Sequence, residues 1–369
     1  MYIALRDTYR PAACRGGVGY FTILLSQALN KKVRKMDIYT AEPAAFEGCT
    51  AIMDKTFELS RFHRKIRTIQ KILKPDTLAS GYSTVIFMHP YEPLVSAPGA
   101  KRVLIMYDLI PLLVRSKNLK GTLHFFYYHF ILRRILRKYD KIVVISENTK
   151  KDLLKEYHLP ASQVYVIPCG YNSKLKTISS SYVNPYRKDG SYIICIGGLS
   201  PHKNINRLIQ AMALIDKRLD LRLVVVGIAE TNESLEYTRK HGVQDRVLFL
   251  GRISDDKLAV ILRDASALVF PSLYEGFGMP PLEAMSLGVP TAVSNCSSMP
   301  DVCGDASVYF NPLDVNDIAA SIETITTVQD VRKSCIHKGY AQVQKYRWDV
   351  IADKYIELIT GLELEATIL

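Results

Sequence analysis

Short β-rich apolar runs separated by stretches of helical spacing constrain this chain more than any other feature. In the first half they are YIALRD (2–7), KMDIYT (35–40), STVIFMHP (83–90), RVLIMYD (102–108), KIVVIS (141–146) and VYVIPCG (164–170). In the second they are YIICIGG (192–198), LRLVVVG (221–227), VLFLG (247–251), ALVFPS (267–272), TAVSN (291–295) and ASVYF (306–310). Between them stand helical patterns such as FTILLSQAL (21–29), NINRLIQAMALI (204–215), ESLEYTRKHG (233–242), DDKLAVILRDA (255–265) and PPLEAMSLG (280–288). Continuously apolar strands alternating with helices predict parallel βαβ units whose sheets are covered on both faces. Both halves share this grammar, so the fold class is α/β with two doubly wound Rossmann-like domains. A length of 369 residues agrees, being more than one ordinary domain. The polar, turn-forming stretch KLKTISSSYVNPYRKDGS (174–191) reads as the linker. Such sheets bind ligands at their strand C-terminal ends, which predicts a cleft between the domains.

A mean hydropathy of +0.03 describes an ordinary globular chain. The opening MYIALRD reads as a strand and lacks the regions of a signal peptide, so a cytoplasmic protein is expected. Seven scattered cysteines without a CxxC read as reduced thiols, and no metal site is expected. Charge is uneven. Residues 1–175 carry 28 Lys and Arg against 13 Asp and Glu, a net +15, while the remainder carries 20 against 23, a net −3. The two halves therefore meet different partners.

The stretch SLYEGFGMPPLEAM (272–285) follows the apolar run ALVF and sets Glu275 and Glu283 eight positions apart around a glycine- and proline-rich elbow. Pro280 and Pro281 suit a helix start, glycines let backbone N–H groups approach a ligand, and a helix N-terminus favours negative charge. The elbow therefore suits a phosphate. Carboxylates repel phosphate, so they need another use: Glu283 can accept from ribose hydroxyls, and Glu275 can face a sugar hydroxyl or a cationic transition state. Alternatively, both glutamates only complement the helix start. A second signal is CIGGLSPHKNINRLI (195–209), where Lys203 stands at the mouth of a helix after a glycine pair. A lysine there reads as a diphosphate clamp or as a solvated surface charge.

Together these residues resemble the E-x7-E motif and lysine loop of the retaining nucleotide-sugar glycosyltransferases of family four. Further likeness lies in GGVG (16–19), VVISENTKKDL (143–153), LGRISDDKL (250–258) and YRWDVIADKY (346–355). The resemblance implies a GT-B fold. It implies an acceptor-binding domain over 1–178, with the C-terminal segment 349–369 packing back on it, and a donor-binding domain over 186–348. Lys203 would bind the donor diphosphate, Glu283 the ribose, and Glu275 would lie beside the donor sugar. Backbone groups of Phe277, Gly278 and Met279 would meet the phosphates and sugar, Gly17 would lie under the phosphates, and Ile253 would meet the base. One departure stands out: many relatives have an arginine at the position of Gly198, and His202 is a candidate replacement.

The implied activity is that of a retaining hexosyltransferase. No DxD follows a strand, so no metal or other cofactor is expected, and front-face attack with the leaving phosphate as base is the implied chemistry. The wording around the elbow most resembles the mannosyltransferase branch, making GDP-mannose the first donor and UDP-sugars the alternative. A non-catalytic sugar-nucleotide binder is the reading from another class; a phosphorylase or epimerase would need a cofactor lysine or further acids. After first-half strands, Asp108 is a catalytic candidate that would bind a donor or acceptor hydroxyl, although it equally suits a turn cap, and His89 is a candidate for the acceptor or a structural histidine. The basic stretches 61–74 and 119–138 read as core helices with a cationic face or as contacts with anionic lipid at the inner face of a membrane. No nucleic-acid motif accompanies them, so nucleic acid is not an expected partner. The expected acceptor is a cell-surface glycan or a lipid-linked oligosaccharide.

Overall fold

A computed structural model of the protein describes residues 1–7, 17–40, 43–53, 81–90, 99–114, 125–179, 181–189, 191–198 and 200–368. The basic stretch 61–74 and residues 119–124 lie outside them. The chain divides into two compact units, one formed by 1–170 with 348–369, the other by 171–347.

The first unit holds β1 (Tyr2–Asp7), β2 (Lys35–Thr40), β3 (Thr50–Met53), β4 (Thr84–Phe87), β5 (Lys101–Met106), β6 (Lys141–Val144) and β7 (Val164–Val166). They form one parallel sheet in the order β3-β2-β1-β4-β5-β6-β7. Its centre is apolar throughout: β4 is buried along its length, and Val85, Phe87, Leu104, Met106, Ile142 and Val144 join Leu132, Leu136 and Leu153 in one core. Helix Glu147–Tyr157 starts where Ser146 Oγ accepts the Thr149 N–H and ends at His158 in the left-handed region. Helix Trp348–Ile368 packs on helix Gly17–Asn30: Trp348 meets Phe21 edge-on, Lys32 pairs with Asp353, and Tyr355 and Ile359 are fully buried.

The second unit holds β8 (Ser191–Ile196), β9 (Leu221–Val226), β10 (Val247–Phe249), β11 (Ala267–Phe270), β12 (Thr291–Ser294) and β13 (Ser307–Phe310). Their order is β10-β9-β8-β11-β12-β13, again all parallel. Ile193, Leu223, Val225 and Val269 pack with Leu208, Met212, Ile318 and Ile322 from flanking helices. Each such side chain contributes roughly 1.5–3 kcal/mol on full burial.

The structure corrects two expectations about the boundary. The first unit closes at Gly170, not at 178, because the next residues attach to the second: the Tyr171 N–H donates to Tyr346 O, and helix Lys174–Thr177 packs on helix Asp255–Asp264 through the buried Leu175. The stretch 174–191 is accordingly no free linker. Its Asn184 is buried, with Nδ2 donating to Tyr192 Oη (2.8 Å) and Asp264 Oδ2 (3.0 Å).

Candidate functional site

In the second unit, successive strands lie to one side of β8 as far as β10 and then to its other side from β11 onward. The segments leaving β8 and β11 are therefore neighbours at the point where the order reverses. In doubly wound sheets this is where ligands bind. The lysine loop leaves β8, and the elbow leaves β11.

Backbone and amide groups stitch the two segments together. The Leu273 N–H donates to His202 O (2.7 Å). Asn204 adopts the left-handed conformation (φ 58, ψ 27), which asparagine tolerates, just before helix Ile205–Leu214. Buried at 6% exposure, its Nδ2 donates to Pro271 O (3.0 Å) and Pro312 O (2.7 Å), and its Oδ1 accepts from Arg207 Nη1 (2.8 Å). Lys203 is thereby carried to the elbow, and its Nζ pairs with Glu275 Oε1 at 2.6 Å. Ser272 Oγ donates to the same oxygen at 2.6 Å, and the ammonium lies 5.6 Å from the Phe270 ring centroid. Burial holds the His202 pKa below its usual value, an effect the Glu275 charge partly offsets.

The elbow turns on Gly278 at φ 108 and ψ 64, where a Cβ would also fall on Met299 Cε; only glycine meets both conditions. Helix Met279–Ser286 follows with Pro280 and Pro281 in its first turn. Prolines have no N–H, so backbone donation at this helix start falls to Gly278 and Met279. Glu283 lies inside the same helix, 9% exposed. Burial pushes its carboxyl up to about 7, the Asp255 charge adds to the effect, and the Asn172 backbone N–H opposes it by hydrogen bonding.

The remaining sequence-selected residues fall as follows. Phe277 is buried with its ring edge-on to Tyr346, 5.5 Å between centroids. Ile253 is half-buried in the turn between β10 and helix Asp255–Asp264. Gly198 follows β8, and a Cβ there would meet nothing within 4 Å. Three candidates belong to the first unit. Gly17 opens helix Gly17–Asn30, and His89 follows β4, half-buried, its ring 6.3 Å from that of Tyr107. Asp108 Oδ1 accepts the Ile110 N–H at 2.8 Å, so this carboxylate caps the turn after β5. Sequence reasoning missed Asn204, Ser272, Ser297 and Ser298. Asn204, directly after Lys203 and before the helical run INRLI, carried a readable signal as a helix-start residue. Among the described residues, no group of three or more His, Cys, Asp or Glu is placed to hold a metal ion.

Comparison with known proteins agrees with this architecture. Residues 15–175 match the model of Glycosyltransferase Family 4, and residues 180–342 match that of Glycosyl transferases group 1. Sucrose-phosphate synthase from Thermosynechococcus elongatus superposes with a TM-score of 0.75 at 20% identity, over 98% of both chains. The fold is GT-B. The two matched stretches fall one in each half of the chain. Anabaena Alr3699/HepE in complex with UDP and glucose superposes with a TM-score of 0.70 at 14% identity, over 98% of this chain and all of that one. In sequence, the serotype-specific mannosyltransferase WbdA of Escherichia coli is 30% identical over 274 residues, 71% of this chain. The chain spans about a third of the length of WbdA, 34% of it being covered.

Proposed function

We propose that the protein is a retaining, metal-independent hexosyltransferase that moves a sugar from a nucleotide diphosphate to a glycan or lipid-linked acceptor, with mannose from GDP-mannose as the first donor. The observation that carries this reading is the Lys203–Glu275 pair at the strand-order reversal, set beside the start of helix Met279–Ser286 and the buried Glu283. The mannosyltransferase likeness of WbdA supports mannose. The UDP complexes of HepE support UDP-sugars as the alternative donors.

In this reading the donor diphosphate displaces Glu275 from Lys203, and the freed carboxylate stands beside the donor sugar. Lys203 and the N–H groups of Gly278 and Met279 stabilise the charge that grows on the leaving diphosphate. The glycosidic oxygen departs with the bonding pair and takes the proton of the acceptor hydroxyl, which attacks the anomeric carbon from the same face. Glu283 holds the ribose, and Ile253 flanks the nucleotide. The acceptor lies at the cytoplasmic face of a membrane. In support, Phe126 and Phe130 are 52% and 51% exposed and stacked on one helical stretch that also carries Arg133 and Arg134, with Arg137 and Lys138 in the turn that follows. Among the described residues, no helix is long and apolar enough to cross a membrane.

The test is a panel of GDP- and UDP-sugars titrated into protein treated with a chelator, read by thermal shift and slow donor hydrolysis beside Glu283→Gln. One donor should raise the Tm and be hydrolysed, with both effects lost in the variant. Binding without turnover under any acceptor would replace the transferase reading with that of a sugar-nucleotide binder. Activity that returns only with added divalent metal would overturn metal independence. Flotation with anionic vesicles, beside a duplex-DNA gel shift, tests the proposed membrane partner.

A further inference from the structure

The segment after β12, Asn295–Ser298, closes on the elbow from the side opposite Lys203's loop in the sheet order, since β12 is the other neighbour of β11. Each of its last three side chains takes main-chain groups of the elbow. Cys296 Sγ lies 3.4 Å from Leu273 O. Ser297 Oγ donates to Glu275 O (2.8 Å) and accepts the Glu275 N–H (3.0 Å). Ser298 Oγ, fully buried, stands 3.0 Å from Glu275 O and 2.8 Å from Phe277 O as donor. Ser297 is held at φ 56, in the left-handed region that disfavours residues other than glycine and asparagine.

We propose that Ser297 and Ser298 are positioning residues for glycosyl transfer. Their hydroxyls fix the peptide planes of Glu275 and Phe277, so that the Glu275 carboxylate and the Gly278 N–H face the donor. The inference rests on the transferase reading above. The geometry is direct: in a trans peptide the carbonyl of one residue and the N–H of the next point opposite ways. Holding Phe277 O on Ser298 therefore turns the Gly278 N–H away from that segment. Glu275, with its N–H and carbonyl both engaged by Ser297, keeps only its side-chain torsions free; Ser272 restrains those, together with Lys203 until the donor takes the lysine. The strained backbone of Ser297 is maintained by the two bonds it makes with Glu275.

Ser297→Gly separates position from stability, because glycine relieves the left-handed strain while removing the hydroxyl. Ser298→Ala is the second variant. For both we expect kcat to fall tenfold or more and donor KM to rise less than threefold. The Kd of GDP or UDP should rise at least threefold, and the Tm of Ser297→Gly should stay within about 2 °C of the parent. A purely structural role predicts the reverse, a lowered Tm with kcat and both constants unchanged, and that result overturns the proposal. If the parent binds a nucleoside diphosphate but turns over no donor, the transferase reading fails and the Kd ratio alone decides whether the serines position the elbow. If the parent binds neither GDP nor UDP, both readings fall.

Discussion

Replacing Glu283 by glutamine should make the protein more stable above neutral pH while abolishing donor binding. Glu283 is buried in helix Met279–Ser286, and burial, aided by Asp255, carries its carboxyl from the ordinary 4.5 to about 7. A raised carboxyl pKa means that the folded chain holds its proton more tightly than the unfolded chain. The contribution is thus full below pH 4.5 and is lost as pH rises to about 7, where the folded state must also accept the charge. At about 1.4 kcal/mol for each tenfold difference in proton affinity, the loss amounts to about 3 kcal/mol. Glutamine keeps an oxygen for the Asn172 N–H and never ionises. The variant should match the parent near pH 4.5 and exceed it by up to about 3 kcal/mol at pH 8, roughly 6–12 °C in Tm for a unit of this size. Urea and thermal unfolding at half-unit steps from pH 4.5 to 8.5 measure the difference directly. A variant that tracks the parent at every pH would refute the reasoning, since the burial of an ionised Glu283 would then cost nothing.

Two further outcomes follow from the same region. Gly278→Ala places a side chain at φ 108 and against Met299, which should destabilise by about 3 kcal/mol and reduce donor affinity; an unchanged Tm would show that the elbow yields. Gly198→Arg enters open space and adds a charge beside the lysine loop, so calorimetry with GDP should show about threefold to tenfold tighter binding, the worth of roughly 1 kcal/mol for a half-exposed pair. Weaker binding would place the diphosphate elsewhere.

The strands were legible because a strand buried on both faces writes itself as an unbroken apolar run, as ALVF and IVV do. Strand β3, Thr50–Met53, escaped for the opposite reason: four residues at the sheet edge carry too little pattern to separate from a loop. Glycines, prolines and glutamates of the elbow were readable because each has a restricted use at a strand-to-helix turn. Ser297 and Ser298 were not, since hydroxyls are common in loops and their partners lie over twenty positions away; Asn204 was readable as a helix-start residue, but not its bond to Pro312 across 108 positions. The boundary at Gly170 was hidden for a related reason. Composition marked 174–191 as linker, whereas one buried leucine and one buried asparagine fasten it to the second unit.

Because the second unit is made wholly of 171–347, it is spliced into the first rather than appended to it. Its residues leave the ribosome as one uninterrupted block and have all their partners at hand. The first unit begins earlier but must wait: the helix that buries Tyr355 and Ile359 and sets Trp348 against Phe21 is synthesised only after that block. During translation, therefore, the inner unit is positioned to fold before the outer one. A nonsense change just after Arg347 would leave the proposed donor site intact in sequence and cripple the other unit, whose own first 170 residues were untouched.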